Sequence, residues 1–219
     1  MTEQIQSEER LRQQLIDTAL QLNAEGLSHG ASGNVSVRWH DGMLITPTGV
    51  PYADLLPGDI VFTDGDGEPA PGTLKPSSEW RFHLAAYSAR PDAAAVVHCH
   101  SISATALACA HKAIPAFHYM VAVAGGDDIP LAPYATFGSK ELARNIGKAL
   151  KTRSACLMAN HGQIASAASL GDALDLAREV EVLASQYIRA LAAGKPALLD
   201  ADEMRRVIKK FSSYGQQRE

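Results

Sequence analysis

Residues 93–100 read Ala-Ala-Ala-Val-Val-His-Cys-His. The run is apolar up to Val97 and then sets two imidazoles one residue apart. In a strand, positions i and i+2 share a face, so His98 and His100 stand together, about 6–7 Å apart at the backbone, while Cys99 faces the other way. The apolar lead-in puts this pair inside the protein, where a polar group without a partner costs a few kcal/mol. A shared divalent metal is one partner, since neutral imidazole is a good zinc ligand at about 2.0–2.1 Å. Backbone or side-chain oxygens are another, and the spacing leaves both open.

The rest of the chain supplies a layered frame for such a strand. After Gln6 a helix is expected, with Leu11, Leu15, Ile16, Ala19, Leu20 and Leu22 at helical spacing and Gly26 as its stop. Two short strands, VSVRW and MLITP, flank Asp41-Gly42, a hairpin signal. Residues 59–63 read as a further strand. A helix is expected from Ser77 to about Arg90, where Pro91 stops it. Residues 101–111 read as helical. Another helix is expected over 138–151 with Ser139 as N-cap. SACLMAN and QIASA are short apolar strands on either side of His161-Gly162. A long helix follows from about Ser169 to Ala193, its stripe running Leu174, Ala177, Val180, Leu183, Ala184, Tyr187, Ile188 and Leu191, with Gly194 at its end. A last helix starts at Asp200, with Glu203 three residues on as in a capping box. Strands mixed with long helices predict a layered α/β domain, not a regular βαβ repeat.

A metal at the histidine pair needs further ligands. His161 lies in Ala-Asn-His-Gly-Gln, where a strand turns, and loops on a rigid scaffold often carry function. Glu79 falls in the first turn of its helix, after Ser77-Ser78. A negative charge there also stabilises the helix N-terminus, so spacing alone leaves both roles open. No GxGxxG or Walker sequence is present. Three small-residue clusters could hold a phosphate with hydroxyls, an amide and free N–H groups: Ser32-Gly33-Asn34, Thr48-Gly49 and Ser77-Ser78. A helix N-terminus favours that anion further, although turns and caps are the ordinary explanation of each such cluster taken singly.

Composition closes several routes. The chain has 219 residues, 46% of them hydrophobic, and a formal net charge of −4. That length fits one domain with a sizeable core. A mildly acidic chain without a basic run has no footprint for nucleic acid. No apolar run approaches the roughly 20 residues of a membrane span, and the first residues lack a leader pattern. Cys99, Cys109 and Cys156 form no CxxC and are odd in number. They read as buried small hydrophobes in a reducing compartment, so a cytoplasmic protein is expected. None of the eight lysines interrupts an apolar strand, which counts against a Schiff-base lysine, a group that must be desolvated to react.

Several segments together resemble the class II aldolase and adducin family: SGNVSVRWHDGMLITPTG, PSSEWRFHLAAY, AVVHCH, IPAFHYMVAVAGG, IPLAPYATFG, NHG and KFSSYG. They occur in the family's order over roughly residues 9–216. The resemblance implies one domain over residues 1–219, with a central mixed, largely antiparallel sheet flanked by helices and a short mobile tail from about residue 212. It implies a metal-dependent aldehyde-lyase that cleaves a ketose 1-phosphate, of the L-fuculose 1-phosphate kind, into dihydroxyacetone phosphate and a short aldehyde such as L-lactaldehyde. His98, His100 and His161 would be zinc ligands, one ion per subunit. Glu79 would be a fourth ligand at rest and the catalytic base once substrate displaces it. Gly33, Asn34, Thr48, Gly49, Ser77 and Ser78 would form a phosphate pocket. Tyr119 and Tyr214 would reach the site of a neighbouring subunit in a homotetramer. Cys99 stands where the family varies and often has Asn. The family also holds sugar-phosphate 4-epimerases, decarboxylases, a dehydratase and non-catalytic adducin-like domains. Epimerases resemble this pattern with Asp at the position of Glu79, and adducin-like domains tend to lose the ligands, so Glu79 and the complete set favour the aldolase.

Overall fold

The computed structural model describes residues 2–67, 69–70 and 72–211. The described residues form a seven-stranded sheet between two layers of helices. The strands are β1 (Asn34–Trp39), β2 (Gly42–Ile45), β3 (Val61–Thr63), β4 (Ala95–Cys99), β5 (Leu131–Ala132), β6 (Ala155–Met158) and β7 (Gly162–Ala167). Their order across the sheet is β3-β2-β1-β4-β7-β6-β5. Every neighbouring pair is antiparallel except β5 and β6, which run parallel. This is the mixed, largely antiparallel sheet that the family resemblance implies.

Side-chain alternation divides the core into two. Val35, Val37, Val97 and Cys99 point into one cluster, which α1 (Thr2–Ala24), α3 (Ile102–Cys109), α5 (Leu170–Ala193) and α6 (Ala201–Phe211) help to fill. Ile45, Val96, Cys156 and Ile164 point to the other side, under α2 (Trp80–Ala89) and α4 (Lys140–Leu150). All five residues of β4 are buried. A strand covered on both faces reads as a continuous apolar run, and each fully buried valine contributes about 1.5–3 kcal/mol. Cys99 faces away from His98, as the two-residue period requires. Burial pushes the thiols of Cys99 and Cys156 up to about 12, so both behave as small hydrophobes. Cys109 departs from expectation. It ends α3 and is exposed.

The helices fall close to where their stripes place them. Leu15, Ile16, Ala19 and Leu22 of α1 are buried, whereas Leu20 is exposed. Leu191 of α5 is also exposed, one turn before the helix ends at Gly194. Ser139 and Ser169 accept from the backbone N–H groups of Leu142 and Asp172 at 3.1 Å and cap α4 and α5. Asp200 accepts from Glu203 N at 2.7 Å, but the Glu203 carboxylate pairs with Arg206, so only half of a capping box forms. The hairpin turns on His40-Asp41, with Gly42 already paired to Trp39. A 3₁₀ turn over Tyr119–Ala124 and the two-residue strand β5 are additions that periodicity did not signal. No helix among the described residues is long and apolar enough to cross a membrane.

Candidate active site

Three strand ends converge on one cluster. β4 delivers His98 from inside the sheet, fully buried, and the chain leaves the strand at His100. The β6–β7 turn delivers His161 through Asn160, which adopts a left-handed φ of 54°. Asn tolerates that conformation better than most residues, and His111 steadies it through a 2.6 Å bond to Asn160 Oδ1. Gly162 then lets β7 press against β4. A Cβ there would lie 2.5 Å from the Cys99 carbonyl oxygen and 2.8 Å from His100 Cδ2.

The ligand-type nitrogens of His98, His100 and His161 lie within 4.8 Å of one another, as three residues around a metal ion would. Gln163 O accepts from His98 Nδ1 at 2.7 Å. That bond fixes the tautomer and leaves the Nε2 lone pair facing the cluster. His98 Nε2 and His100 Nε2 stand 3.0 Å apart, a closeness that a shared proton or a shared cation resolves. Burial, with the charges of His98 and His161 adding to it, pushes His100 down to about 3, so its ring is a neutral donor.

Glu79 completes the cluster from the start of α2. It occupies the N-cap position without capping the helix, a correction to its expected place in the first turn. Its carboxylate instead points at the histidines, with Oε2 at 3.2 Å from His98 Nε2 and Oε1 at 3.1 Å from His161 Nε2. Burial by itself would raise this carboxyl, but His98 and His161 outweigh it and hold the group well below the usual carboxylate range. Oε1 is buried and accepts no well-directed hydrogen bond. A buried carboxylate oxygen short of donors, beside three imidazole rings, suits a divalent cation, which takes lone pairs from all four groups.

Glu79, His100 and His161 line a cavity of about 400 Å³, and His98 lies fully buried behind them. Gly33, Asn34, Thr48, Ser77 and Ser78 line the same cavity, so the structure brings five of the six expected phosphate-pocket residues to it. Gly49 does not line it. Gly33 touches the back of the site, where a Cβ would sit 2.8 Å from the His98 carbonyl oxygen. The buried Tyr52 hydroxyl donates to Gly33 O and fixes that peptide. Asn34 Nδ2 donates to Glu79 Oε2 at 3.0 Å. Sequence reasoning did not single out Tyr134 and Phe137, exposed aromatics at the cavity's mouth, or Asn160. The first two carry no chemistry that spacing reveals. Tyr119 lies elsewhere in the same chain, half exposed on its 3₁₀ turn and stacked towards Phe211 at 6.5 Å. Tyr214 and the tail from about residue 212 fall outside the described residues.

The family model for the class II aldolase and adducin N-terminal domain matches residues 13–188. The chain belongs to the class II aldolase and adducin family. It is 54% identical over 207 residues to an L-fuculose phosphate aldolase of Escherichia coli O6:H1, a match covering 94% of this chain and 96% of that one. It is 55% identical over 205 residues to a 5-methylthioribulose-1-phosphate/5-deoxyribulose-1-phosphate aldolase of Rhodospirillum rubrum, covering 94% and 92%. A solved L-fuculose 1-phosphate aldolase superposes with a TM-score of 0.88 at 42% identity, over 92% of this chain and 95% of that one. These class II aldolases match the chain along nearly their whole length, and the chain is an enzyme of the aldehyde-lyase class.

Proposed function

We propose that this enzyme reversibly cleaves a ketose 1-phosphate to dihydroxyacetone phosphate and a short aldehyde, with zinc held by His98, His100 and His161 and by Glu79 at rest. The observation that carries the reading is the convergence of three imidazoles and one carboxylate at a cavity also lined by hydroxyl and amide side chains. When bound, zinc supplies a positive centre that stabilises negative charge developing on substrate oxygens.

The chain's own residues do the rest. Asn34, Thr48, Ser77 and Ser78 bind the phosphate dianion with neutral donors, Gly33 lets the backbone approach, and Gly49 shapes the neighbouring turn. Binding the phosphate fixes the reacting carbon over the carboxylate, which removes much of the entropic cost of reaction. In the bond-forming direction Glu79 is the base that takes the carbon-bound proton of dihydroxyacetone phosphate, and in cleavage it returns that proton to carbon, a role that requires an approach of about 3 Å or one bridging water. In a homotetramer, Tyr119 of a neighbouring subunit protonates the aldehyde oxygen as the carbon–carbon bond forms, and Tyr214 of that subunit closes over the substrate. The enzyme works in the cytoplasm on a soluble metabolite.

L-fuculose 1-phosphate is the first substrate to test, with L-lactaldehyde as its aldehyde. A 5-deoxy or 5-methylthio ribulose 1-phosphate is the second reading, because a relative with that name is as similar as the fuculose phosphate enzymes. These substrates share the phosphate end and differ at the aldehyde end, where Tyr134 and Phe137 give the mouth an apolar wall. Zinc content per subunit, together with dihydroxyacetone phosphate release from a panel of these sugars, tests the proposal. Release in proportion to zinc supports it, and a zinc-loaded enzyme that releases none overturns it.

A further inference from the structure

Behind Glu79 the same face of α2 carries His83 and Tyr87, four and eight residues on, so all three fall on one side of the helix. His83 is completely buried, as is Ser36 of β1, and Tyr87 is nearly so. None of the three lines the cavity. They are joined to it by hydrogen bonds. Ser36 Oγ meets Tyr87 OH at 2.8 Å and His83 Nδ1 at 2.7 Å. His83 Nε2 meets Asn34 Oδ1 at 2.5 Å, and Asn34 Nδ2 meets Glu79 Oε2 at 3.0 Å.

The direction of each bond follows from the one at the end. An ionised carboxylate only accepts. Asn34 therefore turns its amide NH2 to Glu79 and its carbonyl oxygen to His83. That oxygen also only accepts, so the His83 proton sits on Nε2. Burial, reinforced by His98, pushes His83 down to about 3, which leaves Nδ1 bare and in need of a donor. The Ser36 hydroxyl supplies it and accepts in turn from Tyr87. Donors run one way, from Tyr87 through Ser36, His83 and Asn34 to Glu79.

We propose that His83 is a positioning residue for the reaction: its Nε2–H locks the Asn34 amide in the orientation that donates to Glu79, and Ser36 with Tyr87 sets that tautomer. The opposite tautomer would flip the amide and bring its carbonyl oxygen against the carboxylate. Two acceptors at that distance repel, and Glu79 would leave its place beside His98. The catalytic part of this inference rests on Glu79 being the base, as proposed above, whereas the tautomer does not.

The test uses zinc-loaded enzyme labelled with 15N-histidine, with the His83 signals assigned by their loss in His83→Gln. The wild-type spectrum is expected to give the Nε2–H form at His83. Ser36→Ala should admit the Nδ1–H form and lower kcat for dihydroxyacetone phosphate release by about 10- to 100-fold, the usual range for an outer partner of a metal site, with zinc per subunit unchanged. Ser36→Thr, which keeps the hydroxyl, should restore most of the rate. An Nδ1–H form in wild type overturns the proposal. So does wild-type kcat in Ser36→Ala, or a loss of rate that merely follows a loss of zinc. If Ser36→Ala does not fold, the wild-type tautomer decides. If wild-type enzyme releases no dihydroxyacetone phosphate from any sugar, the function proposed above fails, and the His83 spectrum still judges the direction of the hydrogen bonds.

Discussion

Asn34 stands directly opposite His98 across the β1–β4 ladder, and both side chains end on the same oxygen of Glu79, at 3.0 and 3.2 Å. The first donates an amide N–H and the second presents a ring nitrogen. One carboxylate is thereby fixed between a residue assigned to phosphate binding and a residue assigned to the metal.

That placement makes Glu79→Gln the most direct probe of the chemistry. The amide keeps the size of the side chain and leaves the three imidazoles in place. Zinc per subunit should stay close to wild type. Exchange of the carbon-bound proton of dihydroxyacetone phosphate with solvent should fall by about 10²- to 10⁴-fold, the range for removing a general base. Exchange at the wild-type rate would remove Glu79 from the base role.

Removing a histidine should act on the metal first. His100→Asn should lower zinc content and aldol cleavage together, as should His161→Asn. Chelation of the wild-type enzyme should lower its thermal midpoint, because a ligand that binds only the folded state stabilises it, by about 2.7 kcal/mol at a hundredfold excess over Kd. Readdition of zinc should restore both the midpoint and the activity. A chelated enzyme with an unchanged midpoint and full activity would count against the metal site.

Gly162→Ala tests how tightly β7 must press on β4. The added methyl would meet a backbone carbonyl, which cannot swing aside as a side chain can. Overpacking of this kind costs about 1–3 kcal/mol. Urea denaturation should report a loss in that range, and zinc affinity should fall as His100 is displaced.

Acid stability carries a signature of His83. Its pKa is about 3 in the folded protein against 6.5 ordinarily, so between these values the unfolded chain binds the extra proton. Stability therefore falls as pH drops from about 6.5 towards 3. In metal-free protein, the loss of unfolding free energy between pH 7.5 and 5.5 should be smaller in His83→Gln than in wild type. Equal losses would show that His83 does not contribute to acid sensitivity.

Much of the frame was legible because it rests on local periodicity. The i, i+2 rule put His98 and His100 together and Cys99 on the far face. Ser139 announced its helix through cap chemistry, and the stripe of α5 foretold five of its buried positions. Cys109 and Leu191 were misjudged because exposure at a helix end depends on what packs there. The six-residue 3₁₀ turn and β5 are held by partners distant in sequence, which no local pattern reports. The i, i+4, i+8 spacing of Glu79, His83 and Tyr87 was visible in principle, but nothing in it told a buried polar ladder from an ordinary helix face.

By itself, then, the sequence determined which residues could carry the chemistry and the order of the elements that bear them, because side-chain type and periodicity are local properties. Whether Glu79 capped its helix or turned to the histidines was decided only when β1, β4 and the β6–β7 turn came together. A carboxylate near a helix start can serve either the helix terminus or a site beyond it. Only the gathering of three imidazoles beside it, drawn from positions up to 82 residues away in the chain, makes one of them prevail.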